Sequence, residues 1–184
     1  MRNLQIGIIG SCSDLAYSQA AAAAAAQLGI VLARAGVTLV FGAEKDINSL
    51  PTIAARAAAT AGGQTLGITY EKGLAVYDAE AATVLVASGL SRGGGRETTL
   101  MLSCNAAIAL SGGSGTLNEM CIAYQANIPV ICLTGFGGWS DKLAGTYLDD
   151  RRRYKFIAEA TPEKAARRAC QEARKYNSVK SDTI

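Results

Sequence analysis

Residues 106–119 read Ala-Ala-Ile-Ala-Leu-Ser-Gly-Gly-Ser-Gly-Thr-Leu-Asn-Glu. The run Ala106–Leu110 is short, apolar and bounded by a turn signal, which predicts a buried strand. The glycines that follow let the backbone come close to a ligand, and Thr116 begins a helical pattern. A strand that ends in a glycine turn and a helix start is how an α/β protein builds an anion pocket. The free N–H groups and the positive dipole end of the helix favour a phosphate there. A second glycine-rich stretch, Ser91-Arg-Gly-Gly-Gly-Arg96, lies just upstream.

Working outward, short apolar runs alternate with helical ones. Strands are expected at Leu4–Ile9, Val37–Phe41, Thr65–Thr69, Thr83–Ala87, Ala106–Leu110, Pro129–Thr134 and 154–157. Helices are expected at 15–35, 51–61, about 95–104, 116–126, 140–146 and after Thr161. The alanine run Ala20–Ala26 is the middle of the first helix, since alanine is the best helix former. Arg34-Ala-Gly36 closes that helix with a cation and a C-terminal glycine. Pro51 opens the second. This alternation implies an α/β fold, a mostly parallel sheet covered on both faces. Residues 1–176 form one domain and the polar residues 177–184 a frayed tail.

In such sheets ligands bind beyond the carboxyl ends of the strands. The loops at 10–14, 42–50, 88–96, 111–115 and 134–139 therefore share one rim. The phosphate-binding set is Gly112, Gly113, Ser114, Gly115 and Thr116, joined by Gly10 and Ser11 after the first strand, Gly42 after the second, and Arg92. The motif is not a P-loop, because it lacks the closing Lys-Ser/Thr. Arg96 follows three glycines and can grip a phosphate or carboxylate through two prongs. Glu119 has two readings: Thr116-Leu-Asn-Glu119 matches a capping box, or the carboxylate faces a ligand near the positive end of a helix. Trp139 either stacks on a base or covers the core. Asp14, Glu44 and Asp46 sit on rim loops, where they either read a ribose hydroxyl or cap a helix, and Arg151-Arg-Arg153 reads as a solvated run.

The 184-residue chain contains no histidine. Ser-His-Asp and Cys-His catalysis and the commonest metal ligand are therefore excluded, and acid–base work falls to carboxylates, Lys, Tyr or Cys. The net charge of +3, with scattered basic residues and few aromatics, argues against a nucleic-acid partner. The five cysteines are widely spaced with no Cys-x-x-Cys pair, as in reduced core thiols of a cytoplasmic protein. No apolar run reaches the roughly 18 residues of a membrane span.

Arg96 through Glu119 resembles the core of the LOG family of cytokinin-activating phosphoribohydrolases, often labelled lysine decarboxylases. That family carries Arg-Lys, a helix and strand, then Pro-Gly-Gly-x-Gly-Thr-x-x-Glu. Here Arg96 and Glu119 stand at the arginine and glutamate positions, whereas Ser111 replaces the proline and Glu97 the lysine. Phe41-Gly-Ala-Glu-Lys-Asp46 replaces the glycine-rich motif after the second strand. These departures resemble a divergent branch that includes molybdenum cofactor carriers and relatives of the DNA-processing protein DprA.

The resemblance implies a three-layer, doubly wound Rossmann-like fold and a homodimer. It implies hydrolysis of a nucleoside 5′-monophosphate to free base and ribose 5-phosphate, with Glu119 and Arg96 catalytic. No metal or cofactor is required. The alternative it implies is a carrier or sensor that binds a nucleotide monophosphate or a pterin phosphate without turnover.

Overall fold

The computed structural model describes residues 3–181. Seven strands form one sheet: β1 (Gln5–Gly10), β2 (Thr38–Gly42), β3 (Gln64–Thr69), β4 (Val84–Ala87), β5 (Ala106–Leu110), β6 (Val130–Leu133) and β7 (Ile157–Glu159), in the order β4-β3-β2-β1-β5-β6-β7. Every pairing is parallel. Six α-helices connect or follow them: α1 (Gln19–Arg34), α2 (Leu50–Thr60), α3 (Arg96–Leu102), α4 (Ser114–Gln125), α5 (Gly138–Leu143) and α6 (Pro162–Ser181).

Because side chains alternate along a strand, the sheet sorts its residues into two cores. Ile6, Ile8, Leu39, Phe41, Ile108 and Leu133 pack on one face under α1, α2 and α6. Ile9, Val40, Ile68, Ala107, Ala109 and Cys132 pack on the other under α3, α4 and α5. The result is the expected three-layer, Rossmann-like α/β fold. The alanine-rich helix α1 lies close to α2: a Cβ on Gly29 would collide with the carbonyl of Ala54.

Several boundaries differ from those expected, each for a local reason. The first long helix begins at Gln19 rather than 15, because Ala16 adopts a left-handed φ of 47° after a short 3-10 turn at Ser13–Leu15. Ser18 caps the helix, its hydroxyl accepting from the Ala21 N–H at 3.1 Å. The last strand is 157–159 rather than 154–157, because Tyr154 and Phe156 are drawn into the core beside Tyr124, with ring centroids 5.0 and 5.8 Å from its own. The Tyr154 hydroxyl donates to the Ile128 carbonyl at 2.6 Å. The terminal helix passes the expected boundary at 176, and Asn105 Nδ2 donates to Asn177 Oδ1 at 2.7 Å. Residues 182–184 of the expected tail lie outside the described residues.

The strand order reverses at β1, with β2 laid on one side of it and β5 on the other, so the loops that follow β1 and β5 part and leave a crevice at their carboxyl ends. The five cysteines are free thiols. Among the described residues no helix is long and apolar enough to cross a membrane.

The close approach of α1 and α2 gives the first prediction. Gly29→Leu drives a side chain into the α2 backbone and lowers unfolding free energy by about 1–3 kcal/mol, the usual cost of overpacking. Urea denaturation followed by circular dichroism measures it, and an unchanged midpoint would contradict this packing.

Candidate functional site

The glycine loop after β5 is fastened from two sides. Ser11, after β1, receives the Gly112 N–H on its Oγ at 2.9 Å and donates that hydroxyl to Ser111 Oγ at 3.1 Å. From the other side, the Trp139 N–H donates to the Gly112 carbonyl and the Ser140 N–H to the Ser111 carbonyl, both at 3.0 Å. Ser111 takes a left-handed φ of 57° and Gly112 one of 104°. At Gly112 a Cβ would also run into the Thr116 side chain, so glycine is required there twice over.

α4 starts at Ser114, two residues before the expected 116, and its N-cap is Gly113 with no side-chain cap. Thr116 and Glu119 thus both lie inside the helix, which removes the capping-box reading of Glu119. The Leu117 N–H bonds the Gly113 carbonyl at 3.0 Å and closes the first turn. The N–H groups of Ser114, Gly115 and Thr116 precede it and lack intrahelical acceptors. Ser114, Gly115 and Thr116 border a cavity of about 350 Å³ lined also by Gly10, Cys12, Glu44, Tyr70, Arg92, Gly93, Arg96, Glu97, Asn118 and Glu119.

The expected residues divide into two groups. Gly10, Arg92, Arg96, Ser114, Gly115, Thr116 and Glu119 line the cavity, whereas Ser11, Gly42, Gly112 and Gly113 stand behind its wall. Gly113 makes room for Leu15, and Gly42 for the Arg96 guanidinium, which occupies the space a Cβ would take. Trp139 packs with the core under α5 and carries Lys142 over its ring at 4.6 Å.

Arg96 is not a free arm. It is 3% exposed; its Nη2 pairs with Glu44 Oε1 at 2.8 Å and also bonds the Tyr70 hydroxyl. The Tyr70 ring lies 3.9 Å from its guanidinium carbon. Arg92 pairs with the other oxygen of Glu44, with its own side chain 62% exposed at the cavity mouth. Nε and Nη1 of Arg96 are buried without partners. Burial opposes the Arg96 charge, but Tyr70 and the Glu44 and Glu119 carboxyls outweigh it and raise the guanidinium above its ordinary value.

Three carboxyl groups share this cavity: Glu44, Glu97 and Glu119. Burial pushes Glu119 up to about 8; Arg96 pulls it down, while Glu97 and Glu44 add to the rise. At neutral pH Glu119 is therefore mostly protonated. Burial likewise holds the Cys12 thiol up at about 11, so it is a poor nucleophile. Glu44, named for its rim loop, does line the cavity, whereas Tyr70 and Glu97 are site residues that the sequence reading did not single out as such. The only signal was the run of departures from the family pattern at 41–46 and 97.

The site has two poles. Bare N–H groups of α4 form an electropositive lip suited to an anion, and the same cavity holds Glu44, Glu97 and Glu119, of which Glu44 is braced by both arginines. The fold recurs in known structures. TM1055, a structural-genomics target, superposes with a TM-score of 0.80 at 24% identity, over 91% of this chain and 99% of that one. The molybdenum cofactor binding protein of Rippkaea orientalis gives 0.74 at 27% identity, over 95% and 97%. The molybdenum cofactor carrier protein of Chlamydomonas reinhardtii gives 0.73 at 23%, over 94% and 99%. No curated protein matches the chain in sequence. The model of the SLOG cluster4 family matches residues 3–166, and this chain belongs to that family.

Proposed function

We propose that the cavity binds the phosphate ester of a nucleotide-like molecule and that Glu119 makes it a phosphoribohydrolase. One observation carries this reading: Glu119, a carboxyl that burial shifts toward its neutral form, lines one cavity with Ser114, Gly115 and Thr116 of the first turn of α4. The 5′-phosphate sits on the N–H groups of Ser114, Gly115 and Thr116, with the Thr116 hydroxyl beside them. Glu119 lies one turn further along the same helix, so a ligand anchored at the lip extends toward it.

In that pose the protonated Glu119 gives its proton to the leaving base. The bond between C1′ and the base nitrogen breaks, its electron pair goes to the base, and the developing oxocarbenium ion takes up water at C1′. The proton shed by that water returns to Glu119. Protonation at neutral pH suits the carboxyl to this donor role rather than to stabilising the cation as an anion. Arg96 supports the site from beneath: locked to Glu44 and Tyr70, it moderates the charge around Glu119.

A second reading is a carrier that holds a nucleotide or pterin phosphate without turnover. It is favoured by the clamp on Arg96, which holds that guanidinium in place, and by the fold shared with molybdenum cofactor proteins.

An exposed apolar surface runs beside the site. Leu102 of α3 is 58% exposed and, with Ile122 of α4, borders a shallow depression. Val84 and Val86 of the edge strand β4, also exposed, pair with Leu66 and Ile68 and so lie on the same side of the sheet. A second copy of the chain covering this surface gives the homodimer that the family resemblance implies.

Two measurements test these readings. Incubation with AMP and GMP, with chromatography of the products, is expected to show free base and ribose 5-phosphate, and Glu119→Gln is expected to slow release by about 100-fold or more. The wild-type rate should hold below pH 8 and fall as pH rises through about 8, where Glu119 loses its proton. Tight binding with no release, unaltered by Glu119→Gln, would overturn hydrolysis in favour of the carrier. Light scattering should give twice the 19.0 kDa chain mass, and Leu102→Glu should return the monomer. A monomeric wild-type chain would overturn the dimer.

A further inference from the structure

The carboxyl floor is not evenly satisfied. Both oxygens of Glu44 are engaged, one by Arg96 and one by Arg92. Glu97 differs. It is 5% exposed and lines the cavity. Its Oε1 accepts the Gly93 N–H at 3.2 Å, while Oε2 is buried with no partner. An unpartnered buried carboxylate oxygen is costly, and the cost is removed when a donor arrives. Glu97 Oε2 therefore calls for an N–H or O–H donor, whereas the unpartnered Nε and Nη1 of Arg96 in the same cavity call for an acceptor.

The cavity also offers a flat surface. Tyr70 has the guanidinium of Arg96 on its ring at 3.9 Å and that of Arg92 at 4.9 Å. Arg92 reaches the mouth largely exposed, and a planar guanidinium readily stacks on a planar ring. Phosphate lip, planar wall and acceptor floor together define a ligand with an anion at one end and a flat, donor-bearing ring at the other.

We propose that Glu97 reads the N–H donor edge of a planar heterocycle, so that the preferred ligand is a phosphate ester of a 2-amino-4-oxo ring, as in guanine, over one of an adenine-like ring. The inference rests on the phosphate-ester reading above. A 2-amino-4-oxo ring carries two adjacent donors, the ring N–H and the exocyclic amine, which a carboxylate accepts side by side. Adenine offers an acceptor nitrogen on the same edge, which would face the carboxylate oxygen lone pair to lone pair.

The test is a calorimetric titration of the full chain with GMP, IMP, AMP, 2′-deoxy-GMP and inorganic phosphate. The expected order is GMP over IMP over AMP, with GMP favoured over AMP by about tenfold or more, the discrimination usual for one paired donor edge. In Glu97→Gln that ratio should collapse to within about threefold while the affinity for inorganic phosphate stays unchanged. If Glu97 serves only to hold the 93–97 turn, the variant weakens every ligand alike and the ratio persists, which overturns the proposal. A loss that follows removal of the 2′-hydroxyl rather than the change of base also overturns it, by placing the sugar on Glu97. Should Glu97→Gln fail to fold, equal affinity of the wild-type chain for GMP and AMP overturns the proposal by itself. If neither phosphate nor any ester binds, the phosphate-ester reading fails; if the esters bind without preference, only the present inference fails.

Discussion

The buried ion pair between Arg96 and Glu44 organises the carboxyl end of this sheet. Taking a guanidinium and a carboxylate out of water is expensive, and the two survive there only because their geometry is good and further bonds are made. Here Tyr70 supplies a hydroxyl and a ring face, Arg92 closes on the free oxygen of Glu44, and Gly42 gives up its side chain so that the guanidinium fits. The pair joins the loop after β2 to the first turn of α3. By doing so it shapes one wall of the cavity whose opposite wall is α4. Glu119 feels the consequence directly, since its ionisation is set by burial, by Arg96 and by two neighbouring carboxyls.

This constraint explains why the cavity is two-sided. The loops after β1 and β5 part at the reversal of strand order, and the fastened glycine turn aims the start of α4 into the gap. Ser11, Ser111 and the α5 backbone hold that turn without reaching the cavity themselves. An anion is welcomed at the lip, whereas the interior holds three carboxyl groups, and both arginines are spent on one of them, Glu44. A phosphate ester whose other end donates hydrogen bonds fits both halves. A dianion pressed against the floor does not.

The layered fold was legible in the sequence because strand-length apolar runs, glycine turns and capping residues repeat along it. Ala106–Leu110 was located to the residue, since a five-residue apolar run flanked by Asn and a glycine turn admits little else. The last strand was misplaced because Tyr154 and Phe156 look like alternating strand residues but are claimed by an aromatic contact with Tyr124. Arg96 and Glu119 were visible as positions, yet their states were not. Glu44 is 52 residues from Arg96, and nothing in local spacing reveals that the two meet. The capping-box pattern at Thr116–Glu119 was real as a pattern, but the helix begins two residues earlier, and the tertiary hold on the glycine turn decides that. Glu97 showed only as a departure from a family motif, and its meaning depends on a burial that spacing cannot report.

Arg96 is a scaffold held by Glu44 rather than a free ligand arm. A double-mutant cycle in urea denaturation with Arg96→Met and Glu44→Gln measures this most directly. Each single change is expected to cost about 3–5 kcal/mol, because it strands a buried charge. The double variant should cost about 2–3 kcal/mol less than the sum of the two single losses, which is the coupling energy of the pair. Single losses that are small and add to within about 0.5 kcal/mol would contradict the account, since independent residues behave that way.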